Sequence, residues 1–188
     1  MEAVWSPEVY EQVLTVSNPA FADLVRILAW TGARMTTMIS IEARHYNKAQ
    51  SRLECADLAR GKKHVRYIRL LNDEARELIE RKIKEHPTGP LFLNAKGRPW
   101  EQDAPQIYLF NLKNKFQHSK GLEWPDGLCC KGLRHSFCSA FLQAHPNELE
   151  YLRSLLGHRD YTMIFKHYSH LIDMDAAAFK RVEGFSPF

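Results

Sequence analysis

Long apolar runs are missing from this chain. None approaches the roughly 20 residues a membrane span needs, and no signal peptide opens the sequence. Cysteine is scarce and poorly placed for structural work. Cys55, Cys129, Cys130 and Cys138 show no disulfide-framework spacing, and adjacent Cys129 and Cys130 are ill suited to a single tetrahedral metal. A reduced, intracellular (cytoplasmic) setting is the resulting expectation. A large excess of one charge is lacking too. Twenty-six Lys and Arg against 22 Asp and Glu leave a formal +4, so total charge alone does not call for nucleic acid. Internal repeats, low-complexity stretches and interdomain linkers are absent, and 188 residues with 45% hydrophobic content read as one soluble globular domain with a full core.

What is present begins with helix signals. Ser6-Pro7 is an N-cap followed by proline at the first helical position, and the helix extends over 6–16. Asn18-Pro19 repeats the signal, and Phe21, Leu24, Val25 and Leu28 keep helical spacing up to Trp30. Thr31-Gly32 breaks that helix, and Ala33 to Ile41 reads as another short one with Arg34 near its start. Arg52–Leu58 and Val65–Leu70 flank Gly61-Lys62-Lys63, which predicts two strands joined by a basic turn. Asn72-Asp73-Glu74 caps a helix running to His86, stopped by Pro87 and Gly89-Pro90. Leu91-Phe92-Leu93 reads as a third short strand, with a turn at Lys96–Pro99. Residues 104–117 read as helix and 121–127 as loop. The last third is helical over 131–145, 147–156, 160–169 and 173–182. Leu155-Leu156-Gly157 has the form of a helix end capped by a left-handed glycine, with His158 just beyond it.

Four clusters carry possible chemistry, and each has a plainer reading. Arg34, at the mouth of a helix, is suited to a bidentate clamp on a phosphate or carboxylate, although most arginines so placed only solvate a surface. Lys131 and Arg134 stand three apart at the start of a helix whose Leu133, Phe137, Ala140 and Phe141 form an apolar stripe. Two cations side by side favour an anion between them, and cations at a helix start oppose its dipole. Arg60, Lys62, Lys63, His64, Arg66 and Arg69 fall within ten residues, a footprint for a phosphate backbone or a lysine-protected strand edge. Tyr168 lies between His167 and His170, yet Tyr161, Ile164, Phe165 and Tyr168 also form a helical stripe suited to core packing. His158, His167 and His170 lack a carboxylate at metal spacing, so no metal is expected.

Read together, Thr31-Gly32-Ala33-Arg34, the hairpin around Lys62, Lys131-Gly132-Leu133-Arg134-His135, Leu156-Gly157-His158 and Tyr168-Ser169-His170 resemble the catalytic domain of tyrosine recombinases (phage integrases and chromosome-dimer resolvases). The order of these segments is the family's order, and the resemblance covers about Ser6 to Tyr168. It implies a mainly α fold with a small antiparallel β-sheet (α+β), in which 1–188 is a single catalytic domain. It also implies that the family's N-terminal core DNA-binding domain is absent, and that 173–188 is a tail available for protomer contacts. Implied partners are double-stranded DNA and further copies of the chain, assembled as a tetramer on DNA, with no membrane and a nucleoid-associated location.

The resemblance further assigns roles. Tyr168 is the nucleophile, and the 3′-phosphotyrosyl intermediate needs no cofactor. Arg34, Arg134 and His158 hold the phosphate, Lys62 is the general acid, and Lys131 stands where the family carries histidine. Arg60, Lys63, Arg66, His135 and His170 are assigned to DNA contacts. The chain departs from the family at Lys131 and at Thr37, where an acid is usual, and the hairpin turn aligns in more than one way, leaving Lys63 and Arg60 as alternatives to Lys62. A type IB topoisomerase, a non-catalytic DNA-binding relative with a decayed site, and a plain helical protein with a packed Tyr168 are the competing readings.

Overall fold

The structure, a computed structural model, describes residues 5–54, 68–113, 115 and 123–157. The chain divides into two compact units, Met1–Phe137 and Cys138–Phe188.

In the first unit the N-terminal signals act as the sequence predicts. The Ser6 side chain accepts from the Val9 N–H at the head of α1 (Pro7–Val16). Asn18 does the same for Phe21 at the head of α2 (Pro19–Thr31). Each cap satisfies one of the donors a helix start leaves open. α2 is the centre of the core. Phe21, Leu24, Val25, Ile27 and Leu28 are at most 1% exposed, so the helix is covered on more than one face. Its N-terminus is tied from outside as well, because the Asn18 N–H donates to Tyr108 Oη at 3.0 Å. The Tyr108 ring lies 4.6 Å from that of Phe21.

A four-residue helix, α3 (Met35–Met38), follows α2. The expected helix over Ala33–Ile41 is shorter than predicted because Arg34 stays extended as its N-cap (φ −70°, ψ 137°). At its other end the Ser40 N–H bonds to Thr37 O in a tightened last turn. Next comes a three-stranded antiparallel sheet of β1 (Tyr46–Asn47), β2 (Arg52–Glu54) and β3 (Ile68–Leu70), with β2 in the middle. The β2–β3 pairing, with Arg52 opposite Leu70 and Glu54 opposite Ile68, agrees with the two strands predicted there. Its basic turn lies outside the described residues.

The third strand is not where the sequence put it. Leu91–Leu93 makes only isolated bridges, Glu42 with Pro90 and Leu93 with Pro99. Prolines at 90 and 99 remove the N–H donors a ladder requires. The segment is instead core, with Leu91 and Phe92 at 0% and 1% exposure, pinned by the Leu91 N–H to Ile41 O. Tyr46–Asn47 takes the third-strand place and was not foreseen, since two residues are too short to display an alternation.

Helix α4 (Asp73–Glu85), capped by the Asn72 side chain on Ala75 N–H, packs Ala75, Leu78 and Ile79 inward. It meets α2 through a charge cluster centred on buried Asp23. Arg81 Nη2 reaches both Asp23 oxygens at 3.0 Å, Lys82 Nζ reaches one at 2.8 Å, and Arg26 adds a bond at 3.2 Å. Burial alone would lower the Arg81 pKa, but the Asp23 carboxylate raises it above the ordinary arginine value. Helix α5 (Ala104–Asn111) forms the first part of the helix expected over 104–117, and Lys113 and Lys115 are helical as well. α6 (Cys130–Ala144) begins in the first unit and continues into the second.

Within the second unit the described residues are the rest of α6 and α7 (Leu149–Leu156). Leu152 and Leu156 of α7 are fully buried, and the Phe141 and Tyr151 rings stack at 5.8 Å. Gly157 ends α7 at φ 65°, the left-handed cap predicted from Leu155-Leu156-Gly157. The helices expected over 160–169 and 173–182 lie outside the described residues. Among the described residues no helix is long and apolar enough to cross a membrane.

The Asp23 cluster gives a stability prediction. Asp23→Asn removes the charge that holds Arg81 and Lys82 while keeping the shape. Equilibrium urea unfolding is expected to show a loss of about 2–3 kcal/mol, the worth of charge-assisted bonds to a buried carboxylate.

Candidate active site

An arginine from α6 reaches the turn that ends α2. Arg134 Nη1 donates to the carbonyl oxygen of Gly32 at 2.8 Å, across 102 residues of sequence. Gly32 is two residues before Arg34, so the guanidinium of one candidate catalytic residue is bonded to the turn that carries the other. The first-arginine and second-arginine segments are thereby a single structural unit.

Each residue of Thr31-Gly32-Ala33-Arg34 has a local reason to be what it is. The Thr31 hydroxyl is buried and donates to Ile27 O, and it accepts from the Ala33 N–H at 3.3 Å, closing the end of α2. Gly32 turns left-handed (φ 57°) and its N–H returns to Leu28 O at 3.0 Å. A side chain there is excluded twice. The dihedral is unfavourable for any residue with a Cβ, and that atom would fall 2.8 Å from Phe137 Cγ and nearer still to Cδ1. Ala33 is buried at 3% exposure, and Arg34 emerges exposed at the head of α3. Arg134 and Phe137, one helical turn apart on α6, thus both engage Gly32, one by its carbonyl and the other by its missing Cβ.

The start of α6 is held independently. Gln106 of α5 caps it, its Oε1 accepting the Cys130 N–H at 2.9 Å. The Trp5 indole N–H donates to Cys129 O at 2.9 Å, and its backbone N–H donates to Ser136 Oγ at 2.8 Å. The Cys130 thiol is buried in this packing, and burial, with Cys129 beside it, pushes its pKa up to about 12, so it stays protonated. Lys131 is exposed on the first turn, while Arg134 and His135 are half-buried one turn on.

The sequence-predicted set therefore divides. Arg134 is bonded to the turn that carries Arg34. Lys131 and His135 lie on the same helical segment as Arg134. Lys62, Arg60, Lys63, Arg66, His158, Tyr168 and His170 lie outside the described residues. Among the described residues no three His, Cys, Asp or Glu side chains form a metal-binding group. Sequence reasoning missed Trp5, Gln106 and Ser136, whose partners lie up to 131 residues away. Phe137 was seen only as part of an apolar stripe.

The comparisons with known proteins bear on the family and the fold. The sequence profile described as "Phage integrase family" matches residues 6–174. No curated protein matches the chain in sequence. Among solved structures, the Tn1549 transposon integrase in complex with transposon right-end DNA is similar with a TM-score of 0.77 at 19% identity, over 96% of this chain and 66% of that one. XerA recombinase gives a TM-score of 0.67 at 16% identity, over 100% of this chain and 65% of that one. A lambda integrase dimer bound to a COC′ core site gives 0.69 at 14% identity, over 100% and 51%. The chain thus spans just under two thirds of the Tn1549 integrase chain and about half of the lambda integrase chain. These likenesses show that the fold is that of tyrosine recombinase catalytic domains.

The geometry at Gly32 gives the second prediction. Gly32→Ala is expected to cost about 2–4 kcal/mol in urea unfolding, the sum of a left-handed alanine and a displaced ring. Adding Phe137→Leu is expected to return only the packing share, because the dihedral cost remains.

Proposed function

Because the chain belongs to the phage integrase family, we propose that it breaks and rejoins DNA at specific sites, as an integrase that recombines two duplexes. The observation that supports this reading is the Arg134–Gly32 bond, which ties one forked, permanently charged cation to the turn from which Arg34 emerges. That arrangement suits the two non-bridging oxygens of a phosphodiester, and guanidinium groups hold such oxygens bidentately where lysine cannot.

In the proposed reaction the Tyr168 hydroxyl attacks the scissile phosphorus and releases its proton to solvent water. The new P–O bond is a 3′-phosphotyrosyl link, and the P–O bond to the 5′-oxygen breaks. Lys62 gives its proton to the departing oxygen, which leaves as a 5′-hydroxyl. Arg34 and Arg134 offset the charge that develops on the non-bridging oxygens, with His158 hydrogen-bonded to the same phosphate. Lys131 occupies the family's histidine place as a further cation. Attack by a 5′-hydroxyl of a second DNA end reverses the chemistry and joins the strands, so no energy source is consumed and no cofactor is needed. Arg60, Lys63, Arg66, His135 and His170 contact the DNA backbone around the site.

In this reading residues 1–188 act as one catalytic domain on double-stranded DNA, four copies per synapse, with 173–188 available for contacts between protomers. The solved integrases bound to DNA, among them a lambda integrase tetramer on a Holliday junction, support the partner and the assembly. Family membership favours recombination over supercoil relaxation and over a decayed DNA-binding relative.

The test is covalent capture on nicked suicide duplexes drawn from a pool of candidate attachment sequences. The wild-type chain is expected to give a protein–DNA adduct on denaturing gels without added metal, and Tyr168→Phe none. An adduct that persists in Tyr168→Phe, or a wild type that binds the pool without any adduct, would overturn the reading.

A further inference from the structure

Trp5 lies 124 residues from Cys129 and 131 from Ser136, yet it bonds to both. These two residues bracket Lys131-Gly132-Leu133-Arg134-His135. On the near side the indole N–H takes the Cys129 carbonyl at 2.9 Å, and that same carbonyl accepts the Gly132 N–H at 2.9 Å. On the far side the Trp5 N–H reaches Ser136 Oγ at 2.8 Å, and the Ser136 hydroxyl also lies 3.1 Å from Gly132 O. Trp5 itself is only 5% exposed and belongs to the core cluster. One rigid aromatic residue therefore grips the first two turns of α6 from both ends.

We propose that Trp5 is a positioning residue for the strand-cleavage reaction. It fixes the axial placement of the α6 start, so that Arg134 presents its guanidinium to the scissile phosphate from its bond to Gly32. The inference rests on the function proposed above. The physical case is that a helix start frays unless held, and Trp5 donates both to the Cys129 carbonyl that receives the Gly132 N–H and to Ser136 Oγ one turn on. Gln106 accepts the Cys130 N–H, and the following turn, where Arg134 sits, is met by Trp5, by the Arg134–Gly32 bond and by the packing of Phe137 on Gly32. Trp5 touches no substrate; it acts through Arg134.

Trp5→Phe tests this, since it keeps most of the buried bulk and deletes the indole donor. The first arm needs no catalysis. Hydrogen exchange is followed at the amides of residues 134–137, whose helical acceptors are the carbonyls of 130–133. The expected result is exchange at least tenfold faster there, with α4 amides unchanged. The second arm is single-turnover adduct formation on a nicked duplex from the capture experiment. The expected rate at saturating DNA is roughly tenfold to a hundredfold lower, the range a small misplacement of a catalytic group produces, with DNA affinity within twofold of wild type. Ser136→Ala, which removes the other grip, is expected to shift both arms the same way.

Unchanged exchange at 134–137 in Trp5→Phe overturns the proposal whatever the activity. So does faster exchange with an unaltered rate, or exchange that rises equally across α4, which marks general loosening. A wild type that forms no adduct overturns the reading of function and the proposed catalytic role with it. In that case the exchange arm still reports whether Trp5 holds the helix start.

Discussion

The hydrogen bond from the Arg134 guanidinium to the Gly32 carbonyl is the constraint on which the rest of this site depends. It joins the end of α2 to the second turn of α6 and brings two distant sequence segments together. Its donor is a planar, always-charged guanidinium with several N–H groups in a fixed fork, a geometry that lysine lacks. Its acceptor is available because Gly32 adopts the left-handed cap that turns the chain. The close approach of α6 is possible because Gly32 has no side chain for Phe137 to meet.

Behind that bond the fold supplies rigidity in layers. α2 is buried nearly all round and carries the Thr31–Arg34 turn at its C-terminal end, so the turn inherits the stiffness of the core. Tyr108 and Asn18 secure the opposite end of α2, and the Asp23–Arg81–Lys82 cluster locks α4 along its side. A buried carboxylate shared by three cations contributes more to holding one helix pairing than to net stability, because desolvation offsets much of the Coulomb gain. α6 is approached from the N-terminal segment by Trp5 and from α5 by Gln106. The Cys130 thiol between them is held protonated by burial.

Local features were the legible ones. Ser6, Asn18 and Asn72 announced helix starts, and Gly157 announced a helix end, because capping is decided within four residues. The β2–β3 pairing was legible for a similar reason, as a hairpin is a short-range object. The third strand was not. Leu91–Leu93 has strand composition, but its flanking prolines and its burial decide otherwise, while Tyr46–Asn47 pairs only because β2 is already there. At the site, the spacing of the arginine segments could be read and their order matched a family. The reason for Gly32 could not, since it lies in a ring 105 residues further along. Nor could Trp5 be read, whose two partners become neighbours only after folding.

The claim at the centre of this account is that Arg34 and Arg134 act on one phosphate as a unit. A double-mutant cycle of single-turnover strand cleavage measures it directly, using Arg34→Ala, Arg134→Ala and the double variant at saturating DNA. Groups that share one transition-state charge are strongly non-additive, so the double variant should be little slower than the slower single variant. If the two losses instead multiply in full, the arginines act independently, and the shared clamp built on the Gly32 carbonyl is not how this site works.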